Sequence, residues 1–380
     1  MPAIGSRFFC IVSLIGLAFS TPGAESPRQK QENYKSFKPG QIWNDTDGNR
    51  IEAHGGGMLY REGTYYWFGE HGTPGRTKVG VPCYSSKDLY NWRNEGVALA
   101  LVTDPPNHDL APGCVLERPK VLYDARTKRY VLWFHLELKG QGYNSARSAV
   151  AVSDRVTGPY VYQGSFRPND SMARDMTLFV DDDGKAYQFY ASEDNKTMHV
   201  SLLTDDYLRP SGKFERILVN RETEAPAVFK HDGRYYFIGS GCTGYSPNAA
   251  RSAVAPSIWG PWKELGNPCV GEGADKTFFS QSTYVLPVVG KPGAFIFMAD
   301  RWRGGRYLWL PIRFEEGRVL LRWMDEWDLS DFNSKPPRQE KAARNLTSFV
   351  AGNHLQPELG QLTIPNRLLS HFRPFSRRGV

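Results

Sequence analysis

Five polar residues, His54, Glu117, Asp175, Glu224 and Gln281, stand at matched places in this chain. Each opens a short apolar stretch and precedes an aromatic run by 11 to 14 residues. Three of the five are carboxylic acids. Two carboxyl groups facing one sugar are the minimum for glycoside hydrolysis: one protonates the leaving oxygen, the other acts as base or nucleophile on the opposite face. Glu224 is the candidate acid, because Ala225-Pro226 and the apolar strand behind it would desolvate the carboxyl and hold its proton near neutral pH. Asp175, which follows Arg174, is placed to tune Glu224. Glu117, ahead of Arg118-Pro119-Lys120, is the third acid. Aromatic faces complete a sugar site by packing on pyranose rings, and Trp67, Tyr143, Tyr245 and Trp302 follow the same strands or their loops.

What must position these residues is a repeated hairpin. The aromatic runs Tyr65-Tyr66-Trp67-Phe68, Tyr130-Val131-Leu132-Trp133, Tyr187-Gln188-Phe189-Tyr190, Tyr235-Tyr236-Phe237-Ile238 and Phe295-Ile296-Phe297-Met298 are each preceded by a turn and a short apolar strand. The fourth turn is Asp232-Gly233, a strong hairpin signal between two apolar runs. The leading aromatics lie 65, 57, 48 and 60 residues apart, which leaves room for about four strands per repeat. That period reads as an all-β fold, a five-bladed β-propeller. The first strand of each propeller blade lines the axis, so the five polar residues are expected to converge at one end of the channel. Like charges gathered there raise one another's pKa, a signature of a functional site.

Residues 1–24 read as a secretory signal, with Arg7 before the apolar run Phe8 to Phe19 and small residues at Ser20 and Ala24. That run is too short to span a bilayer, so no membrane anchor is expected and a secreted or periplasmic location is. Residues 25–40 read as an irregular arm, 41–333 as the propeller, and 334–380 as a loosely packed basic tail. The net charge is +7, but eight Lys and Arg against two Glu from Lys335 onward account for +6 of it. The propeller is then close to neutral, which argues against a nucleic-acid partner. A monomer acting on a polysaccharide or oligosaccharide is expected. Cys83, Cys114, Cys242 and Cys269 show no zinc-type spacing, and within-blade disulfides and free thiols stay open. Asp181-Asp182-Asp183-Gly184 lacks the ligand period of a calcium loop and reads as a solvated hairpin turn. No metal or cofactor is expected.

The motifs together resemble glycoside hydrolase family 43, inverting enzymes built on a five-bladed propeller, and in detail its exo-β-1,3-galactanase branch. They are Ala53-His54-Gly55-Gly56-Gly57, Tyr66-Trp67-Phe68-Gly69-Glu70, Glu117-Arg118-Pro119-Lys120-Val121, Arg174-Asp175-Met176-Thr177-Leu178-Phe179, Glu224-Ala225-Pro226, Ser280-Gln281-Ser282-Thr283 and Asp300-Arg301-Trp302. The resemblance implies Glu224 as acid, Asp175 as modulator of its pKa, and Gln281 with Glu117 around the attacking water and the sugar. It implies Glu70, Tyr143, Tyr245 and Asn248 as galactose contacts; axial His54 and aromatic Trp302 complete the substrate-facing set. An axial calcium occurs in parts of that family, and no ligand set here calls for one. The family's usual Asp base is absent from Glu52-Ala53-His54-Gly55, which leaves Gln281, Glu52 or a relay as the source of the base. Within the same family the sugar could instead be that of an α-L-arabinofuranosidase or a β-xylosidase. A carbohydrate-binding propeller without turnover is the reading from another class.

Overall fold

The computed structural model describes residues 33–73, 76–77, 79–301 and 306–333. The expected signal, the basic tail and Trp302 lie outside the described residues. Blade one holds β1 (His54–Arg61), β2 (Thr64–Glu70), β5 (Gly80–Ser86) and β6 (Arg93–Ala100). A two-residue hairpin, β3 (Gly72–Thr73) and β4 (Arg76–Thr77), falls between β2 and β5. Blade two holds β7 (Val115–Asp124), β8 (Arg129–Glu137), β9 (Arg147–Ser153) and β10 (Val161–Phe166). Blade three holds β11 (Met176–Val180), β12 (Ala186–Ser192), β13 (Thr197–Leu203) and β14 (Pro210–Ile217). Blade four holds β15 (Thr223–His231), β16 (Arg234–Gly241), β17 (Arg251–Ala255) and β18 (Lys263–Gly266).

The expected count of five blades is corrected to six. After blade four, the chain forms two three-stranded sheets. One is β20 (Gln281–Pro287), β21 (Phe295–Arg301) and β22 (Arg306–Pro311). The other sets β19 (Cys269–Val270) beside β24 (Arg318–Arg322) and β23 (Arg313–Glu315). Residues 307–312 and 318–323, both after the fifth aromatic run, fall in different sheets. They part because β22 ends at Pro311, and β23–β24 turn back on themselves through Glu316-Gly317, φ 51° and 74°. The free edge of that hairpin then pairs in parallel with Cys269–Val270 rather than with β22.

The hairpins form where turn chemistry and aromatic runs coincide. Glu62-Gly63 and Asp232-Gly233 both take φ > 0 at the two turn positions, the geometry that matches the twist of paired strands. The first strands of five of the six sheets, β1, β7, β11, β15 and β20, are neighbours in a ring, and the sheet of β19, β24 and β23 contributes no strand to it. Apolar layers between successive sheets hold that ring. Phe68, Cys83, Cys114 and Phe134 pack between blades one and two, and Phe189, Phe237 and Ile258 between three and four. The ring closes through Trp43, Trp67, Trp92 and Trp309. Phe37 of the N-terminal arm exchanges backbone hydrogen bonds with Trp327 at 2.7 and 3.1 Å, tying the two ends of the propeller over that layer. Trp67, one of the aromatics with a possible sugar-facing role, is 1% exposed and belongs to this core.

Cys83, Cys114, Cys242 and Cys269 are all free thiols. The Asp181–Gly184 turn is tied to blade four: Asp181 accepts from Lys230 Nζ at 2.6 Å and from the Tyr235 hydroxyl at 2.5 Å.

Candidate active site

The inner strands are bulged where the polar residues sit. Register shifts fall between His54 and Gly57 in β1, Glu117 and Lys120 in β7, and Glu224 and Ala227 in β15. In each, the residue after the polar one is left-handed: Gly55 at φ 58°, Arg118 at 58° and Ala225 at 55°. For Arg118 and Ala225 this costs about 1–2 kcal/mol each. A carboxylate from the preceding blade of the ring accepts the amide of each bulge. Asp300 Oδ2 takes Gly55 N at 2.5 Å, Glu70 Oε1 takes Arg118 N at 3.1 Å, and Asp175 Oδ2 takes Ala225 N at 3.0 Å. A bulge re-aims its neighbours out of the ladder, and here three carboxylates hold three bulges open. Asp300, Glu70 and Asp175 are thereby part of the frame that aims the other residues.

Glu117, Asp175, Glu224 and Gln281 come together, with Tyr143 and Tyr245, around a cavity of about 240 Å³ that Arg118, His135, Arg174 and Asn195 also line. Gln281 donates through Nε2 to Glu224 Oε1 and to Ser240 Oγ, both at 2.9 Å, and accepts from Arg118 Nη2 at 2.5 Å. Asn195 Nδ2 donates to Glu224 Oε2 at 3.2 Å. The same Arg118 guanidinium pairs with Asp175 at 2.8 Å and donates to the Ser282 carbonyl at 2.8 Å. The Tyr143 hydroxyl donates to Glu117 Oε1 at 2.7 Å.

Burial, and after it the charge of Asp175, raise the Glu224 carboxyl to a pKa of about 7, against the pull of Arg118 and the amide of Gln281. The group therefore keeps a proton to near neutrality, as a general acid requires. Burial pulls the other way on His135, but its carboxylate neighbours Glu117 and Glu137 outweigh it and hold the imidazole up at about 9. His135 Nε2 meets Glu137 Oε1 at 2.9 Å, and Nδ1 lies 3.2 Å from Glu117 Oε2, an ion-pair contact. Glu137 is fully buried and accepts the Ala146 amide at 2.9 Å. Beneath the bulges, Lys120 is 2% exposed and donates to the Gly55 carbonyl at 2.9 Å; burial, helped by Arg118, lowers it to about 7.

Glu117, His135 and Asp175 each offer a ligand atom within 4.8 Å of the others. They do not fit a divalent ion. Both ring nitrogens of His135 already face carboxylates, Nε2 toward Glu137 and Nδ1 toward Glu117, and the Arg118 guanidinium already occupies Asp175.

The remaining expected residues are dispersed. Glu70 is 7% exposed and does not line the cavity; burial and the charge of Glu117 raise its pKa. His54 is buried, stacks on Tyr307 at 5.4 Å, and has its pKa lowered to about 4 by burial. Asn248 lines an adjoining cavity of about 390 Å³, but its side chain is spent on its own loop, bonded to Gly241 N, Gly241 O and Thr243 Oγ1. Glu52 lies 3.8 Å from His71 and lines none of the described cavities. Sequence reasoning missed Arg118, His135, Glu137, Ser240, Asn195 and the frame role of Asp300. Cross-strand register would have found three of them. Glu117 pairs with His135, Glu224 with Ser240 and Gln281 with Asp300, so each axial residue has its partner at the end of the next strand.

Comparison with known proteins places the chain in a family. The family model described as glycosyl hydrolases family 43 matches residues 54–281. A solved family 43 β-1,3-galactosidase, in complex with galactodeoxynojirimycin, is 48% identical and covers 77% of this chain and 100% of its own, with a TM-score of 0.74. The exo-β-1,3-galactanase of Clostridium thermocellum is 37% identical, over 77% of this chain and 66% of its own, with a TM-score of 0.71. A xylan 1,3-β-xylosidase of Vibrio sp is 23% identical over 210 residues, 53% of this chain. The chain spans only 37% and 35% of the length of the curated relatives it matches. The family match over more than half of the chain and the 48% identity to a solved member show the family: this chain belongs to the glycosyl hydrolases family 43.

Proposed function

We propose that the protein is an exported, inverting exo-β-1,3-galactosidase or galactanase that removes galactose from galactan or arabinogalactan side chains. The observation that carries this reading is the Glu224 carboxyl, its pKa raised to about 7 by burial, bonded to Gln281 at the wall of a cavity of about 240 Å³. An axial cavity of that size suits one terminal unit. The galactose-directed names of the solved relatives support the choice of sugar. The apolar run behind Arg7 supports export.

In this reading Glu224 protonates the leaving oxygen and Asp175 keeps its pKa high. Gln281 holds the attacking water through its amide, beside Glu117, which the Tyr143 hydroxyl and His135 orient. Tyr143 and Tyr245 face the sugar from the loops after β8 and β16. The test is proton NMR of the protein with β-1,3-galactobiose. α-Galactose as the first product is the expected outcome. β-Galactose first, or turnover of aryl xylosides and arabinosides but not galactosides, would overturn it.

A further inference from the structure

The axial cavity does not end at Gln281. The adjoining cavity of about 390 Å³ shares Gly244, Tyr245 and Gln281 with it. That second space shares Phe279 and Arg301 with a third, of about 410 Å³, lined also by Glu272, Arg322 and Trp323. The three cavities thus share walls in succession, the first beside Glu224 and the last beyond Phe279.

The backbone at this border is unusual. Thr277, Phe278 and Phe279 take φ of 49°, 54° and 63°, three consecutive left-handed residues of which none is glycine. Each costs about 1–2 kcal/mol in isolation, and such strain persists where the surroundings over-determine it. Here Thr277 Oγ1 donates to the Asn248 carbonyl at 2.7 Å, and Phe278 N donates to the Gly273 carbonyl at 2.8 Å. Arg301 donates through Nε and Nη2 to the Phe278 carbonyl at 3.1 and 2.9 Å. The result buries Phe278 and leaves Phe279 53% exposed, its ring between the two outer cavities.

The chemistry around that ring is cationic. The Arg301 guanidinium carbon sits 5.2 Å over the Trp323 ring, and among the described residues Arg301 has no ion pair. Arg322 pairs with Glu315 only at 3.4 Å, with its side chain 53% exposed. Lys276 Nζ lies 5.5 Å from the Phe279 ring. Glu272 is the one carboxylate among the described residues that line the outer cavity, against two guanidinium groups. A neutral sugar needs hydroxyl partners and an aromatic face. A carboxylate is what guanidinium groups bind best, in paired charge-assisted hydrogen bonds.

We propose that the outer cavity is a subsite for a uronic acid residue carried on the glycan beyond the bond that is cut, with its ring against Phe279 and its carboxylate on Arg301 and Arg322. This rests on the hydrolase reading of the axial pocket. The experiment compares a galactan oligosaccharide bearing a uronic acid on the leaving side with the same oligosaccharide after its carboxyl is reduced to the neutral alcohol. The acidic form should show kcat/KM about tenfold higher, carried by KM, the scale of one or two charge-assisted hydrogen bonds. The advantage should shrink in high salt and vanish in Arg322→Gln. Because the readout is a ratio between two substrates on one protein sample, partial misfolding of a variant cancels. Equal rates on both forms, or an advantage that survives in both Arg322→Gln and Phe279→Ala, would overturn the subsite. If β-1,3-galactobiose is not hydrolysed at all, the hydrolase reading fails instead. Calorimetric titration of the two oligosaccharides into the unmodified protein then decides the subsite, for it if the acidic form binds tighter and against it if they bind alike.

Discussion

The side-chain amide of Gln281 donates to Glu224 Oε1 at 2.9 Å while its own oxygen accepts from Arg118 at 2.5 Å. A neutral group thus stands between the candidate acid and the guanidinium. It keeps Arg118 from pairing directly with Glu224, which would stabilise the carboxylate and discharge the acid. Gln281→Ala should lower kcat by about a hundredfold or more with KM changed little, since the amide orients reacting groups rather than the substrate body. Gln281→Glu keeps the shape but adds a charge beside Glu224. Steady-state kinetics on β-1,3-galactobiose would distinguish a water-positioning amide, for which both variants are slow, from a base, for which the Glu variant retains activity.

The pH profile follows from Glu224. A general acid works while protonated, so kcat should fall as pH rises through about 7. Asp175→Asn removes a negative charge that helps hold that proton and frees Arg118 to act on Glu224. The alkaline limb should move to lower pH, and it should vanish in Glu224→Gln, whose rate should drop by about 10²–10⁴. An unmoved limb in Asp175→Asn would show that another group titrates.

His135 offers a stability test with a definite sign. Its pKa is raised from the ordinary 6.5 to about 9 by Glu117 and Glu137 against its burial. The imidazolium therefore contributes stability in full below pH 6.5 and loses it as pH climbs through about 9. The stability difference between wild type and His135→Gln should be largest at pH 6 and shrink toward pH 9.5, by at most about 1.4 kcal/mol per pH unit for one proton. Urea denaturation at four pH values measures it. Glu137→Gln should remove part of the same slope and lower kcat, because Glu117 then loses the fixed charge behind it.

How much of this was legible in the sequence differs from residue to residue. Glu117, Asp175, Glu224 and Gln281 were found because strand periodicity and turn chemistry are local, and equivalent places in a propeller must converge. Glu70, expected at the sugar, holds the Arg118 amide. An acid at the end of a second strand looks alike in both roles until register is known. The blade count failed at Arg313–Arg322, because whether a hairpin pairs with the strand before it or with Cys269–Val270 is a tertiary choice with no local signature. His135 and Glu137 escaped for the opposite reason: they sit within the hydrophobic run Leu132–Leu136 and beside it, where a buried ion pair cannot be told from an interrupted core strand.

Gly55 tests whether the bulge frame matters. Its φ of 58° is open to glycine, and an added Cβ would stand 2.0 Å from Glu70 Oε1 and 3.3 Å from the Arg118 amide nitrogen. Both neighbours belong to one contact, the Glu70–Arg118 bond that holds the second bulge open. Gly55→Ala should therefore do more than lose the roughly 1 kcal/mol of an ordinary left-handed alanine. It should displace the Glu70 carboxylate, release the bulge at Arg118, and with it the guanidinium that reaches both Asp175 and Gln281. Thermal denaturation should show a lowered Tm, and the folded fraction at low temperature should still lose kcat by about tenfold or more while KM rises. Gly63→Ala is the control: it too has positive φ, 77°, but nothing lies within 4 Å of its added Cβ, and it sits in the β1–β2 turn at the far end of blade one's first strand. A smaller loss of Tm with kcat intact is its expected behaviour. If Gly55→Ala behaved the same way, the frame of carboxylates would be a matter of stability alone, and the aim of Arg118 would have to come from the ladder on either side of it.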